Sequence, residues 1–267
     1  MDTNKSAAGM MKCDHWNQRA KEHGASRKGY KAICSYGAPY VYNKYIDIIH
    51  KKAFLKMLRR CQVKDKKVID VGCGVGRWCR LLSGKGARVT GLDISEEMIK
   101  VAERALEGLG VNFINVPISD VNLPRGTFDM VTCVTVLQHV TDETDFKAGI
   151  ANMVNALKKG GKALIMEVAP SALPASSSFN KFMSVRTDKA YISAFNDAGV
   201  SLEDIFSVDV MPLKQMVISS SKWVPKSLFY VLISMSAFIS LFIDYLFSGT
   251  RFFTKYSWHK AFIFIKN

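Results

Sequence analysis

No two of the six cysteines, Cys13, Cys34, Cys61, Cys73, Cys79 and Cys133, form a C-x-x-C pair. In a chain of 267 residues that spacing excludes a disulfide framework and a zinc site, and leaves reduced cytosolic thiols as the expectation. The opening stretch MDTNKSAAGMMKCDHWN has no apolar core of the roughly 7–15 residues that a secretory signal needs, so none is expected. No fixed-period repeat and no low-complexity tract is present, which excludes solenoids and compositionally biased arrays. Acidic residues are scarce, 23 against 37 Lys and Arg, for a net charge of +14. The deficit sits at the two ends. Residues 1–67 carry a balance of +11, residues 68–212 one of −3, and residues 213–267 one of +6. Basic flanks around a slightly acidic centre suit a membrane surface or nucleic acid, or are plain solvated charge. A hydrophobic content of 48% with 22% charged residues excludes a disordered chain.

The longest apolar run lies near the C-terminus. Leu228–Phe247 reads LFYVLISMSAFISLFIDYLF, with Asp244 its one charge. That length is close to what a bilayer crossing requires. Lys222, Trp223 and Lys226 precede it; Arg251, Phe252, Phe253, Lys255, Tyr256 and Trp258 follow, a mixture favoured at a membrane–water interface. Ser236, Ser240, Asp244 and Ser248 recur every four residues and place a narrow polar stripe along one side of a helix. The other reading is a buried core helix or a dimer face.

Between residues 67 and 170 short apolar runs alternate with helical patterns. Strands are expected at Lys67–Val71, Arg88–Leu92, Val111–Val116, Phe128–Val134 and Lys162–Val168. Helices are expected at Gly76–Leu82, at Ser95–Leu109 with Ser95 as N-cap, and at Asp142–Leu157 closed by Gly160. Met98, Ile99, Ala102 and Leu106 share the core-facing side of the second helix. This order predicts an α/β, Rossmann-like, doubly wound sheet, mostly parallel, with ligands at the carboxyl ends of the strands. The informative residues fall at those ends. The first strand runs into Asp70-Val71-Gly72-Cys73-Gly74-Val75-Gly76, a G-x-G-x-G run in which Arg77 breaks the dinucleotide G-x-G-x-x-G pattern. Glycines there let a flat nucleoside approach the backbone. The second strand ends in Asp93, a carboxylate placed to accept ribose hydroxyls.

The stretch VIDVGCGVGRW…GLDIS…LPRGTFDMVTCVTVLQHV…LKKGGKALIMEV resembles the class I S-adenosylmethionine-dependent methyltransferases, the small-molecule type in particular. The likeness covers roughly residues 12–211, is best over 66–168, and takes in HWNQRAKEHG as a lead-in helix. Two positions depart from the family pattern. Pro117-Ile118-Ser119-Asp120 replaces Gly-Asp-Ala, which leaves the adenine contact to Ser119 or Asp120, and Lys159 replaces a proline in a turn. The resemblance implies S-adenosyl-L-methionine as cofactor and, by position, the following roles. Asp70 would lie near the methionine amino group. Gly72, Cys73, Gly74 and Gly76 would line the ligand. Asp93 would hold the ribose, with Ile94 and Met98 flanking the adenine. Thr135 and Gln138 would face the methionine end, and Trp16 and Arg19 of the lead-in segment would close over the cofactor. His139 would stand on the acceptor side as general base, or else only pack or bond a backbone carbonyl. No metal site is expected.

Nucleic acid is not the expected acceptor. Thr135-Val136-Leu137-Gln138-His139 has none of the prolines that grip a flipped base, and no Pro-Cys nucleophile occurs. A small, lipophilic or membrane-associated acceptor methylated at O or N is expected. The alternatives are a protein or RNA methyltransferase, a non-catalytic membrane-bound adaptor on the same fold, and, disfavoured by the glycine spacing, a dehydrogenase. The expected organisation is a basic helical lead-in or cap at 1–60, a cofactor-binding core at 61–212, an apolar membrane-associated helical insertion at 213–257 and a last strand at 258–267. The resemblance implies that this last strand, Ala261–Ile265, returns antiparallel beside the fifth, after a sixth at Leu202–Met211. A segment whose two ends rejoin one sheet cannot cross a bilayer once. It must be broken or lie in the interface, on the acceptor side of the cleft. The membrane contact is expected through residues 223–258, and the location is cytoplasmic, peripheral or monotopic; the oligomeric state is left open.

Overall fold

The computed structural model describes residues 3–24, 34, 38–173, 182–210, 217 and 223–267. Seven strands form one sheet: β1 Lys67–Val71, β2 Arg88–Asp93, β3 Asn112–Asn115, β4 Phe128–Val134, β5 Leu157–Val168, β6 Val200–Ser207 and β7 His259–Lys266. Their spatial order is β3-β2-β1-β4-β5-β7-β6. β1 to β5 pair in parallel, whereas β7 enters between β5 and β6 antiparallel to both. Strand order reverses between β1 and β4, which opens a crevice at their carboxyl ends.

Helices cover both faces, so the strands are buried on two sides and read as nearly continuous apolar runs. One core packs α2 (Tyr40–Leu58), α3 (Arg77–Ser83) and α7 (Lys226–Phe247) through Ile49, Phe54, Trp78, Leu82, Ile233 and Ala237. The other packs α5 (Glu143–Ala156) and α6 (Asp188–Asp197) through Phe146, Ile150, Met153, Tyr191 and Phe195. β7 shows the alternation: Ala261 and Ile263 enter the first core, Phe262 and Phe264 the second. α1 (Thr3–His23) docks on α4 (Glu96–Ala105), where Cys13 Sγ donates to the Ile94 carbonyl at 3.4 Å and Ser95 Oγ donates to Asn17 Oδ1 at 2.7 Å.

Several boundaries differ from the sequence expectation for local reasons. The Ser95 side chain does cap α4, accepting from the Met98 N–H at 3.1 Å, but the helix stops at Ala105 instead of Leu109. Gly108 and Gly110 beyond it adopt φ of 78° and 66°. α5 is capped by Asp142, yet Gly160 does not end it: the helix closes at Ala156, and Gly160, at φ 72°, lies within the irregular start of β5. β6 ends at Ser207, short of the expected Met211, which lies outside the described residues, as does Lys222. The apolar segment is not broken. It is one continuous helix, α7, among the described residues the one long and apolar enough to cross a membrane.

Candidate active site

β1 ends in a turn that bends back through three left-handed glycines, Gly72 (φ 65°), Gly74 (φ 52°) and Gly76 (φ 80°). The structure gives two of them a reason that the sequence reading did not. A Cβ on Gly72 would meet Val136 Cγ2 at 2.2 Å, and one on Gly76 would meet Leu106 Cδ1 at 2.6 Å. These glycines therefore let protein pack on the turn, in addition to any approach by a ligand.

A cleft of about 380 Å³ opens beside this turn, within the size range of small-molecule sites. Of the residues singled out in the sequence, Trp16, Gly72, Cys73, Gly74, Asp93 and Ile94 line it, as do Met98, Ser119, Asp120, Thr135 and His139. Four others do not. Asp70 lies buried just below the floor, where Thr132 Oγ1 donates to its Oδ1 at 2.7 Å and Cys79 Sγ to its Oδ2 at 3.4 Å. Burial pushes its carboxyl up to about 7, against the pull of those two bonds. Gly76 is spent on the contact with Leu106. Arg19 stacks its guanidinium on the Trp16 ring at 4.7 Å and donates to the Cys34 carbonyl at 2.8 Å, which fastens the lead-in helix and leaves the guanidinium short of the cleft. Gln138 turns inward. Its Oε1 accepts from the Val168 N–H at 3.2 Å, and its Nε2 lies 3.2 Å from His139 Nε2.

Asp93 is the polar centre of the cleft. Its Oδ2 accepts from the Gly74 N–H at 2.8 Å and its Oδ1 from the Ser95 N–H at 2.9 Å. Burial raises its pKa, and the backbone donors of Ser95, Gly74 and Ile94 oppose the rise. The carboxylate thus ties the glycine turn to the start of α4 and keeps the remaining lone pairs of two fixed oxygens for a ligand. Ser119 Oγ donates to Asp120 Oδ1 at 2.8 Å on the opposite wall.

At the far end, Thr135 adopts φ 56°, a strained conformation for a β-branched residue. Buried Glu167 holds the segment after it: Oε1 accepts from the Val136 and Leu137 N–H groups, both at 2.8 Å, and Oε2 from Gln138 N–H at 3.2 Å. Burial raises the Glu167 carboxyl to about 7 even so. The sequence reading passed over Glu167, although a lone acid in the apolar run ALIMEV was its signal. It also passed over Arg77 and Asp145, which line the cleft. His139 is held by two neighbours. Its Nδ1 donates to the Phe182 carbonyl at 2.9 Å, so Nε2 is the proton-free nitrogen, facing Gln138 Nε2. Burial lowers its pKa to about 4. Trp16 meets it edge-on at 5.0 Å, and His15 stacks on Phe182 at 4.2 Å, so α1 roofs this end.

Residues 68–161 match the family model described as a methyltransferase domain. The chain carries a class I, S-adenosylmethionine-dependent methyltransferase domain. The ubiquinone biosynthesis O-methyltransferase of Thiobacillus denitrificans is 40% identical over 105 residues, covering 38% of this chain and 44% of that protein. Its counterpart from Idiomarina loihiensis is 41% identical over 100 residues, covering 36% of this chain and 40% of that protein. The chain therefore aligns with less than half the length of these curated relatives. Among solved structures, the magnesium protoporphyrin IX methyltransferase of Synechocystis with bound S-adenosylhomocysteine has a TM-score of 0.62 at 17% identity, covering 97% of this chain and 99% of that one. Phosphoethanolamine N-methyltransferase 2 of Haemonchus contortus has a TM-score of 0.59 at 18% identity, covering 94% of this chain and 60% of that one. At these identities the structural likeness concerns the fold. In the methyltransferase domain itself, the residues present fit the cofactor of the class: a buried acid between two backbone donors, a glycine turn beside it, and a second buried acid, Asp70, under the floor.

Proposed function

We propose that this chain transfers a methyl group from S-adenosyl-L-methionine to an oxygen or nitrogen of a small, lipophilic acceptor, and that it works at a membrane surface on the cytoplasmic side. The observation that carries the chemistry is the Asp93 carboxylate, fixed by Gly74 and Ser95 at the strand-order reversal, in a cleft whose other end holds His139 under Trp16. The names of the curated relatives favour oxygen as the methylated atom.

When bound, the cofactor supplies an activated methyl on a sulfonium, so the protein has mainly to orient the partners and keep water out. Asp93 would hold the ribose hydroxyls. Ile94 and Met98 would flank the adenine, and Ser119 or Asp120 would take its amino group. Asp70 would lie near the methionine amino group, and Thr135 would shape the end of the cleft nearest the acceptor. His139 would take the acceptor's proton at Nε2, since Nδ1 is committed to Phe182, with the acceptor replacing the Gln138 amide that faces Nε2. The lowered pKa keeps that nitrogen unprotonated at neutral pH but makes it a weak base, so positioning carries most of the catalysis.

The test has two stages. Calorimetry should show binding of S-adenosylhomocysteine by the full chain. Incubation with S-adenosylmethionine bearing a labelled methyl group and a lipid extract should move label into the organic phase. Binding without transfer to lipid, protein or RNA would support the adaptor reading, and no binding would overturn the assignment.

A further inference from the structure

α7 is an amphipathic helix turned inside out. Its polar stripe faces the protein: Ser236, Ser240 and Asp244 are buried. Asp244 accepts from the Tyr45 hydroxyl and, at 2.7 Å, from the Val210 N–H. The opposite side exposes Val231, Met235, Phe238, Ile239, Phe242 and Tyr245, with Phe238 at 76% and Phe242 at 71%. Single exposed apolar residues are ordinary, but a contiguous face of this kind marks an interaction site. Its surroundings are cationic and aromatic. Asp244 is the one acid of residues 213–267, and it is interior, so every charge that this segment shows to solvent is positive. Trp223 and Lys226 are exposed at one end of the helix, and Arg251, Phe252, Lys255 and Tyr256 at the other.

The C-terminal end of α7 is fastened to the sheet and to α2. The Val210 N–H after β6 binds Asp244, Gly249 N–H donates to the Ser207 carbonyl at 2.6 Å, and β7 then re-enters the sheet beside β6. Lys52 caps the helix by donating to the Tyr245 carbonyl and, at 3.2 Å, to Ser248 Oγ; Lys56 donates to the Gly249 carbonyl. With Ile233, Ser236, Ala237, Ser240 and Asp244 all buried, one side of the helix belongs to the protein from Ile233 onward, which is not the arrangement of a crossing surrounded by lipid.

The direction of α7 matters as well. Asp244 pairs with Tyr45, Ser248 with Lys52 and Gly249 with Lys56, so α7 and α2 run the same way. α2 starts at the carboxyl edge of the sheet, because its Asp47 binds Arg77, the residue that follows the glycine turn. It ends near the opposite edge, where the Arg60 carbonyl takes Lys162. At a rise of about 1.5 Å per residue, Lys226 lies roughly 27 Å before Asp244, whereas α2 extends only roughly 8 Å before Tyr45. The first half of α7 therefore reaches past α2 toward the edge at which the cleft opens.

We propose that the exposed face of α7 lies flat in the interfacial layer of an anionic bilayer. Phe238, Phe242 and their neighbours sink among the acyl chains, Lys226 and Lys255 meet the headgroups (Arg251 being paired with Asp204), and the cleft mouth stands at the lipid surface, where a lipophilic acceptor enters without crossing water. This rests on the reading that the enzyme works at a membrane surface, but not on the chemistry of transfer. A bilayer is favoured over a second copy of the chain because two such faces in contact would bring their positive rims together, whereas anionic headgroups match them. A helix lying in the interface binds through buried apolar area plus attraction to anionic lipid, and each basic residue adds to the latter.

Flotation of the full chain with phosphatidylcholine–phosphatidylglycerol vesicles, against pure phosphatidylcholine vesicles, tests the proposal. Wild type should float with both and more with the anionic mixture. The doubly substituted F238D/F242D should bind at least tenfold more weakly, since two exposed rings lose their burial. K226E/K255E should lose the preference for phosphatidylglycerol while keeping residual binding. Both variants should bind S-adenosylhomocysteine like wild type, because none of these residues lines the cleft. Wild type that stays in the lipid-free fraction, or F238D/F242D that floats like wild type, overturns the proposal. So does a wild-type dimer that F238D/F242D dissociates without any vesicle binding. If wild type floats as expected but binds no S-adenosylhomocysteine, the methyl-transfer reading fails and the docking face stands.

Discussion

Replacing Asp93 by alanine probes the centre of the site most directly. In the ligand-free chain, Asp93 Oδ2 and Oδ1 take the Gly74 and Ser95 N–H groups at 2.8 and 2.9 Å, and both oxygens keep capacity for a ligand. Hydrogen bonds to a charged group contribute about 1.5–3 kcal/mol each. Two ribose bonds amount to about 3–6 kcal/mol, and water returning to the freed hydroxyls pulls the observed loss toward the lower figure. A loss of about 3 kcal/mol corresponds to roughly a hundredfold weaker binding. Asp93→Asn keeps the shape and one acceptor but removes the charge, and should cost about tenfold. Alanine also leaves two backbone N–H groups without their acceptor, so Asp93→Ala should unfold at lower temperature even without ligand. Calorimetric titration with S-adenosylhomocysteine, together with thermal unfolding of each apoprotein, separates the two effects. If Asp93→Ala folds and binds within twofold of wild type, the ribose assignment is wrong, and with it the placement of the whole nucleoside.

Three further outcomes follow from the buried titratable groups. His139→Ala should lower turnover by about a hundredfold with little change in cofactor affinity, and at saturating cofactor, where a bound ammonium holds Asp70 ionised, the wild-type kcat–pH profile should show no acid limb until the pH approaches about 4, because the imidazole is already neutral above that; a kcat acid limb near 6.5 would contradict the environment described. Asp70, raised to about 7, should lose its proton when a ligand ammonium settles beside it, so binding of S-adenosylhomocysteine at about pH 6.5 should release protons, read as a dependence of the heat on buffer ionisation enthalpy; a buffer-independent heat would remove Asp70 from the methionine end. Because the folded carboxyls of Asp70 and Glu167 lie above their unfolded values, their contribution to stability is full below the ordinary carboxylate range and is lost as pH rises through about 7, so Glu167→Gln should flatten that part of the stability curve. The same substitution leaves an oxygen for the Val136 and Leu137 N–H groups but sets an amide donor against the Gln138 N–H, and should cost about 1–3 kcal/mol in chemical unfolding.

Much of the fold was legible because it is written in local pattern. β1 and β4 have the expected bounds, since each is a run of strand formers enclosed by polar or glycine breaks. The Ser95 cap and the buried side Met98, Ile99 and Ala102 follow from helical spacing. What was not legible depends on contacts distant in sequence. Nothing near Gly72 announces Val136, 64 residues on, yet that contact forbids a Cβ there. Gln138 sits one position from His139, and the resemblance puts it at the methionine end. The Val168 N–H, 30 residues away, donates to its carbonyl oxygen and turns the amide toward the imidazole. Glu167 stands in an apolar strand, where an acid has no local explanation. Its purpose becomes visible only when β5 is set beside the strained turn after β4.

The C-terminal helix shows where composition and topology part. A largely apolar run of twenty residues flanked by Trp, Tyr, Lys and Arg meets the length and composition criteria for a crossing, and length alone cannot tell spanning from lying flat. Two facts decide otherwise, and neither is a property of the helix taken alone. β7 pairs with both β5 and β6, which returns the chain to the side from which it left. The four-residue repeat of Ser236, Ser240 and Asp244 is turned inward: Tyr45 and Val210 satisfy Asp244, Ser236 donates to the Ile233 carbonyl of its own helix, small Ser240 is simply buried, and the apolar side is left outward. In a soluble helix the same repeat would face water and the phenylalanines would face the core. Here the core is already filled by α2, α3 and the sheet, so the protein takes in the polar stripe and leaves the apolar face outward, the face that the proposal above assigns to lipid.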